Sequence, residues 1–176
     1  MAPRSTVRLA PLAPRHAPAI QRLAADPLIA ATTLLPDPYP ADGAERFVAA
    51  SAAAWAEGTA YTFAVLAGTE VVGACGLKDV SDGQAELGYW IGVPYWGRGY
   101  ATEASRLAAA FGFEALGLRR ITAHTLARNP SSARVLEKAS FRRVGEARNP
   151  FAKWAPEDVI WLYVREHPAP LEASPA

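Results

Sequence analysis

The run Trp96-Gly97-Arg98-Gly99-Tyr100-Ala101-Thr102 follows an apolar segment ending Ile91-Gly92-Val93 and opens straight into a helical pattern. Glycines at 97 and 99 can take backbone angles closed to residues with a Cβ, so successive N–H groups can turn toward one point. The first turn of the helix adds unpaired N–H groups and the positive end of its dipole. The chemistry on offer is anion binding, and a pyrophosphate suits it. Two common phosphate loops are disfavoured. The chain has no Gly-Lys pair for G-x-x-x-x-G-K-[ST], and Thr102 stands where G-x-G-x-x-G requires glycine.

A second polar block lies downstream, Asn129-Pro130-Ser131-Ser132-Ala133-Arg134-Val135-Leu136-Glu137-Lys138-Ala139-Ser140-Phe141. Asn129 is a good N-cap and Pro130 fits the first helical position. Read as x-x-x-G-x-[GA], residues 96–101 resemble the acetyl-coenzyme A loop of the GNAT N-acetyltransferases. The downstream block resembles that family's N-x-x-S-x-x-V-L-E-K-x-G-F, with Ser140 where the family has glycine. Val7-Arg8-Leu9-Ala10-Pro11-Leu12 and Thr33-Leu34-Leu35-Pro36-Asp37-Pro38-Tyr39-Pro40 resemble the opening of the RimJ/RimL-type branch. The resemblance covers roughly residues 4–166 and is strongest from Glu86 to Phe141.

What the resemblance implies can be set against the needs of acetyl transfer: a held thioester, a neutral amine, a polarised carbonyl and a proton for the departing thiolate. Backbone N–H groups of Gly97, Arg98, Gly99, Tyr100, Ala101 and Thr102 are expected to hold the pyrophosphate of acetyl-CoA. The Arg98 side chain fits either that site or solvent. Backbone near Ile91 and Val93 is expected to bond the pantetheine arm and the acetyl carbonyl, and Asn129 the arm as well, alongside its capping role. Trp96 stands where many relatives have Gln or Arg, and its other reading is packing under the loop.

Glu86 is the candidate base, acting directly or through a water, because on a strand it shares a face with Gly88 and Trp90 and the glycine leaves room for a substrate. An ordinary paired strand carboxylate is the competing role, and His124 on the facing strand is the alternative base. The tyrosine that many relatives use as proton donor falls at Leu136, which has no hydroxyl. In the RimJ/RimL branch a serine at the position of Ser132 takes that role; a helix-cap serine is the other reading. Cys75, in the apolar run Val71-Val72-Gly73-Ala74-Cys75, reads as buried filler. Arg119, Arg120, Arg128, Arg134, Lys138, Arg142 and Arg143 form a basic set for the adenosine 3′-phosphate.

Hydrophobic periodicity supplies the elements that must position these groups. Strands are predicted over 6–12, 61–66, 71–77, 84–93, 119–125, 141–146 and 159–165, and helices over 14–25, 41–57, 101–116 and from Asn129. The segments 86–93 and 120–125, joined through a helix, are expected to run parallel by a right-handed crossover. The fold expected is α+β: a GNAT-type, mostly antiparallel mixed sheet with a central splayed parallel pair, flanked by about four helices. One domain over 1–166 and a disordered tail over 167–176 are expected.

The chain has 176 residues, 51% of them hydrophobic, which is ample for one core. Its net charge of +1 gives no bulk field toward nucleic acid or membrane, although 15 of its 18 basic residues are arginine. A single cysteine precludes an internal disulfide and no Cys/His cluster has metal-ligand spacing, so a reducing cytoplasm and no metal are expected. No apolar signal core or membrane span is evident. The expected acceptor is a primary amine, with a protein or peptide N-terminal α-amine placed before a polyamine, amino acid or antibiotic. A non-catalytic acetyl-CoA-binding module is the rival of another class, and the resemblance is compatible with a homodimer.

Overall fold

The computed structural model describes residues 6–168; the expected tail lies outside the described residues from 169 on. The strands are β1 (Val7–Pro11), β2 (Tyr61–Ala67), β3 (Glu70–Ser81), β4 (Gln84–Ile91), β5 (Arg120–Leu126), β6 (Arg142–Arg148) and β7 (Val159–Glu166). The helices are α1 (Ala17–Ala24), a single turn α2 (Pro27–Ala30), α3 (Gly43–Glu57), α4 (Tyr100–Glu114) and α5 (Pro130–Lys138). One seven-stranded sheet runs in the order β1-β2-β3-β4-β5-β7-β6. Every neighbouring pair is antiparallel except β4 and β5, which are parallel. The expected α+β class and splayed parallel pair are therefore present.

Packing explains the layers. On one face of the sheet, α4 presents the small residues Ala104, Ala108, Ala109 and Gly112, which let its backbone settle against Leu77, Ala85, Leu87 and Ile121. Gly112 is as close as a side chain allows, since a Cβ there would come within 2.8 Å of Leu77 Cδ1. On the other face, Ile20 of α1 and Ala44 and Val48 of α3 bury Ala10, Ala64, Leu66 and Ala74. Alternation along a strand sends successive residues to these two layers.

Several ends differ from the periodicity. The predicted helix over 14–25 divides into a 3-10 turn, Pro14–His16, followed by α1. The strand expected to reach Val93 ends at Ile91: Gly92 N–H still donates to Val72 O at 2.8 Å, but the chain then turns into a 3-10 helix, Val93–Tyr95, that holds Pro94. The turn α2 lay unread in the sequence: four residues cannot show a period, although Asp26 caps it by accepting from Leu28 N–H at 2.9 Å. Ser140 takes the left-handed conformation, φ +67°, at the end of α5, which fits its standing where glycine was expected.

Among the described residues no helix is long and apolar enough to cross a membrane, and no group of three His, Cys, Asp or Glu side chains is placed to hold a metal ion.

Candidate active site

Pairing between β4 and β5 covers only Gln84↔Arg120, Ala85↔Ile121 and Glu86↔Thr122. Beyond that point β4 continues to Ile91 while β5 continues to Leu126 on the ladder with β7, so the two strands part. A cavity of about 340 Å³ occupies the parting. Its lining includes Glu86, Gly88 and Trp90 from one face of β4 and Leu87 and Tyr89 from the other. Because both alternating sets contribute, the cavity threads the sheet. His124 of β5 and Ser132 of α5 complete it, so the two sequence-predicted catalytic residues line one space. Where a Cβ of Gly88 would project, no atom lies within 4 Å, so the room expected beside Glu86 is there.

Glu86 stands in a charged group. Lys78, directly across the β3–β4 ladder, brings Nζ to 2.9 Å from Glu86 Oε1, and His124 Nδ1 lies 3.1 Å from the same oxygen. Both approach at ion-pair distance without hydrogen-bond angles to that oxygen. Burial pushes the Glu86 carboxyl upward, but His124 and Lys78 together outweigh it and hold the group at about 2, below its ordinary 4.5. A carboxylate that acidic is ionised at neutral pH and a feeble proton acceptor. The partner is not the arginine that a paired strand carboxylate usually takes. The His124 ring stacks on Phe151, with centroids 5.3 Å apart at 24°.

Ser132 holds a hydroxyl contact that the sequence did not disclose. Tyr89 Oη lies 2.7 Å from Ser132 Oγ, and its hydroxyl also reaches Ser132 O at 3.2 Å. Burial, the main cause, pushes the Tyr89 phenol above its usual range, so it remains protonated. Leu136, where a tyrosine was sought, is fully buried core. A phenol thus reaches the serine from β4 instead of from the next turn of α5. The missed signal was Tyr89 itself, a hydroxyl-bearing aromatic between Gly88 and Trp90, which reads as core when only helix spacing around Ser132 is searched.

The loop has the geometry its glycines suggest. Gly97 and Gly99 have φ of +76° and +80°, and neither has an atom within 4 Å of its would-be Cβ, so it is the left-handed backbone, not crowding, that calls for glycine. Among the described residues none of the N–H groups of Gly97, Arg98, Gly99, Tyr100, Ala101 and Thr102 donates to a protein acceptor; the first to do so is Glu103, to Gly99 O at 3.1 Å. Tyr100 and Thr102 anchor the turn by burying their side chains. Arg98 Nη2 donates to Pro94 O at 3.3 Å, and its guanidinium lies 5.7 Å from the Tyr95 ring centre. Trp96 does not pack beneath the loop: it is half exposed, and its Nε1 donates to Ile91 O at 2.6 Å. Asn129 accepts from Ser132 N–H at 3.3 Å, which makes it the cap of α5. The loop residues 97–102, Ile91, Val93 and Asn129 flank the cavity in sequence without lining it.

The basic set is dispersed. Arg128 pairs with Asp158 at 2.8 Å, Arg119 donates to Asp82 O at 3.0 Å, and Arg143 pairs with Glu146 at 2.9 Å beneath the Trp161 ring. Arg134 and Lys138 remain on α5, with Arg134 donating to Ser131 Oγ at 3.3 Å. Cys75 is buried beneath the parting, its thiol pushed up to about 12 by burial, with Sγ 3.7 Å from Ala104 O. Such a thiol does not ionise at neutral pH and offers no nucleophile.

A strap roofs the cavity. Lys153, between β6 and β7, donates to Ala30 O at 2.6 Å, to Thr33 O at 2.7 Å and to Leu35 O. One ammonium thereby joins the segment that carries Phe151 and Trp154 to the loop carrying Thr33, Leu34 and Leu35, all of them around the cavity or its His124 wall.

Comparison with known proteins places this geometry in a family. A family model described as an acetyltransferase (GNAT) domain matches residues 6–142. The uncharacterized N-acetyltransferase p20 of Bacillus licheniformis is 37% identical over 97 residues, 53% of this chain and 54% of that protein. The chain thus spans about half the length of the curated relatives it matches. Among solved structures, a RimL ribosomal L7/L12 alpha-N-protein acetyltransferase in complex with coenzyme A superposes with a TM-score of 0.85 at 16% identity, over 92% of this chain and 94% of that one. Mycobacterium smegmatis RimJ in complex with CoA-disulfide gives a TM-score of 0.85 at 23% identity, over 93% and 83%. The chain therefore shares the overall fold of these structures, and it belongs to the GNAT acetyltransferase-domain family.

Proposed function

We propose that the protein is an acetyl-CoA-dependent N-acetyltransferase that moves an acetyl group to a primary amine by direct attack in a ternary complex, in the cytoplasm. The observation that carries this reading is that Glu86 and Ser132 line one cavity threading the parted strands. The loop fits the co-substrate: six backbone amides without protein acceptors and two glycines in the left-handed region suit its pyrophosphate. Val93 N–H and Asn129 are assigned to the pantetheine arm. The Ile91 carbonyl accepts from the Trp96 indole and keeps a second lone pair for the arm.

Acetyl-CoA, when bound, supplies an acetyl thioester. Glu86 accepts a hydrogen bond from the incoming amine, directly or through a water, and balances the positive charge that grows on nitrogen as the C–N bond forms. Held near a pKa of about 2, it does not strip a protonated amine, so the acceptor must arrive neutral. An α-amine of pKa ~7.8 is roughly a quarter neutral near pH 7.4, against about a thousandth for a lysine. A protein or peptide N-terminus is therefore the preferred acceptor, which agrees with the alpha-N-protein acetyltransferase activity that the RimL neighbour is named for. As the C–S bond breaks, Ser132 gives its hydroxyl proton to sulfur while Tyr89 donates to the serine oxygen; the nitrogen's surplus proton passes Glu86 to water, and solvent returns one proton to Ser132. Cys75 takes no acyl group, which leaves direct attack.

The test is acetyl-CoA-dependent thiol release with N-terminal peptides, polyamines and aminoglycosides, comparing wild type with Glu86→Gln and Ser132→Ala. Release with peptides that falls about 100-fold in either variant supports the reading. Release untouched by both substitutions removes these residues from the chemistry. Tight acetyl-CoA binding without release across the panel turns the protein into a cofactor-binding module.

A further inference from the structure

The cavity contains one negative charge, and that charge already has a cation beside it. Of the lining residues only Glu86 carries a carboxylate; around it stand neutral groups such as Thr33, Leu35, Phe47, Trp90 and Trp154. Lys78 is fixed opposite Glu86 by the β3–β4 register, a neighbour relation that holds whatever the side chains do. Its ammonium is 2.9 Å from Oε1, and its side chain is 45% exposed against 25% for Glu86, so the lysine stands on the more open side of the pair. His124 closes the other approach to the same oxygen.

An amine that attacks as the free base needs a hydrogen-bond acceptor there, and Glu86 can serve as one while still paired. An acceptor carrying a second, protonated nitrogen needs more, a carboxylate whose charge it can neutralise. Its free ammonium competes with one tethered to the sheet, whose effective concentration is on the order of millimolar or above.

We propose that Lys78 is a specificity-determining residue: its ammonium occupies the one anionic subsite that the described residues give the acceptor cavity and so selects monoamines, such as the α-amine of a peptide with an uncharged first residue, against polycationic amines. The inference rests on reading this cavity as the acceptor site. Removing the cation leaves Glu86 with His124 alone and opens the subsite to a second ammonium. Replacing Lys78 by arginine keeps the subsite occupied.

The experiment is calorimetric titration of spermidine, a linear triamine probe, into wild type, Lys78→Gln and Lys78→Arg in the presence of coenzyme A. The preference between spermidine and a neutral N-terminal peptide is measured beside it by thiol release. Lys78→Gln is expected to bind the triamine about ten-fold more tightly and to shift the preference toward it by a similar factor, as one partly screened charge pair would dictate. Lys78→Arg is expected to match wild type. Equal triamine affinity in all three proteins, or an arginine variant that behaves like glutamine, overturns the proposal. Should no acceptor release thiol in any variant, the acetyltransferase reading fails, while the binding titration still decides what Lys78 does.

Discussion

Tyr89 and Ser132 come from different elements, one an aromatic of β4 and the other a first-turn residue of α5, and their 2.7 Å contact makes them one unit. Tyr89→Phe keeps the ring and its packing while removing the partner of the serine oxygen. Turnover is expected to fall about ten-fold with little change in the KM for acetyl-CoA. In a Ser132→Ala background the same substitution is expected to cost little more, since two groups acting together do not lose twice; steady-state kinetics of the four proteins check this. Glu86 gives a second prediction. Its pKa in the fold is depressed, so its ion pairs contribute stability that is fully present above its ordinary value of 4.5 and is lost as pH falls through the folded value of about 2. Urea unfolding of wild type and Glu86→Gln is expected to show a stability gap that narrows across that acid window. As candidates, Glu86 was legible from the strand face it shares with Gly88, and Ser132 from the resemblance carried by the block that starts at Asn129. The Lys78, His124 and Tyr89 contacts were not, since they depend on cross-strand register and on how α5 docks.

At the scale of elements, the cavity exists because β4 loses β5 after Glu86, and Gly88 keeps the gap clear. A Cβ at Gly88 meets no atom within 4 Å and points into that space, so Gly88→Leu is expected to fold and melt like wild type yet lose about 100-fold or more in activity; circular dichroism and thiol release measure the two halves. The end of α5 offers the opposite kind of substitution. Ser140 carries a Cβ in the left-handed region, at φ +67°. Ser140→Gly is expected to raise stability by about 1 kcal/mol, read from denaturant midpoints, with activity intact. Most elements were legible because their apolar residues repeat at two or at 3.6 along the chain, as in β4 and α4. The sequence did not disclose α2, too short to show a period, or the strap anchored by Lys153, whose three acceptors are carbonyls with no side-chain signature.

The whole molecule is a single sheet clad on both faces, and its stability is tied to what it binds. If the loop holds acetyl-CoA, ligand at ~100 times its Kd adds about 2.7 kcal/mol, or roughly 5–10 °C in Tm for a chain of this size. A thermal melt with and without acetyl-CoA tests this, and an unmoved Tm counts against the cofactor. The sheet order, β5-β7-β6, could not be read from the chain, because either late strand could have paired with β5. That order also has a consequence for biosynthesis. The neighbour that completes β5, and with it the wall carrying His124, is made after both β5 and β6 and is the last of the described strands. At about 5–20 residues per second, a nascent chain spends seconds with β5 exposed along one edge. Until Glu166 has emerged, that edge is an open template for pairing with other chains, so newly made protein is more prone to aggregate than the finished molecule.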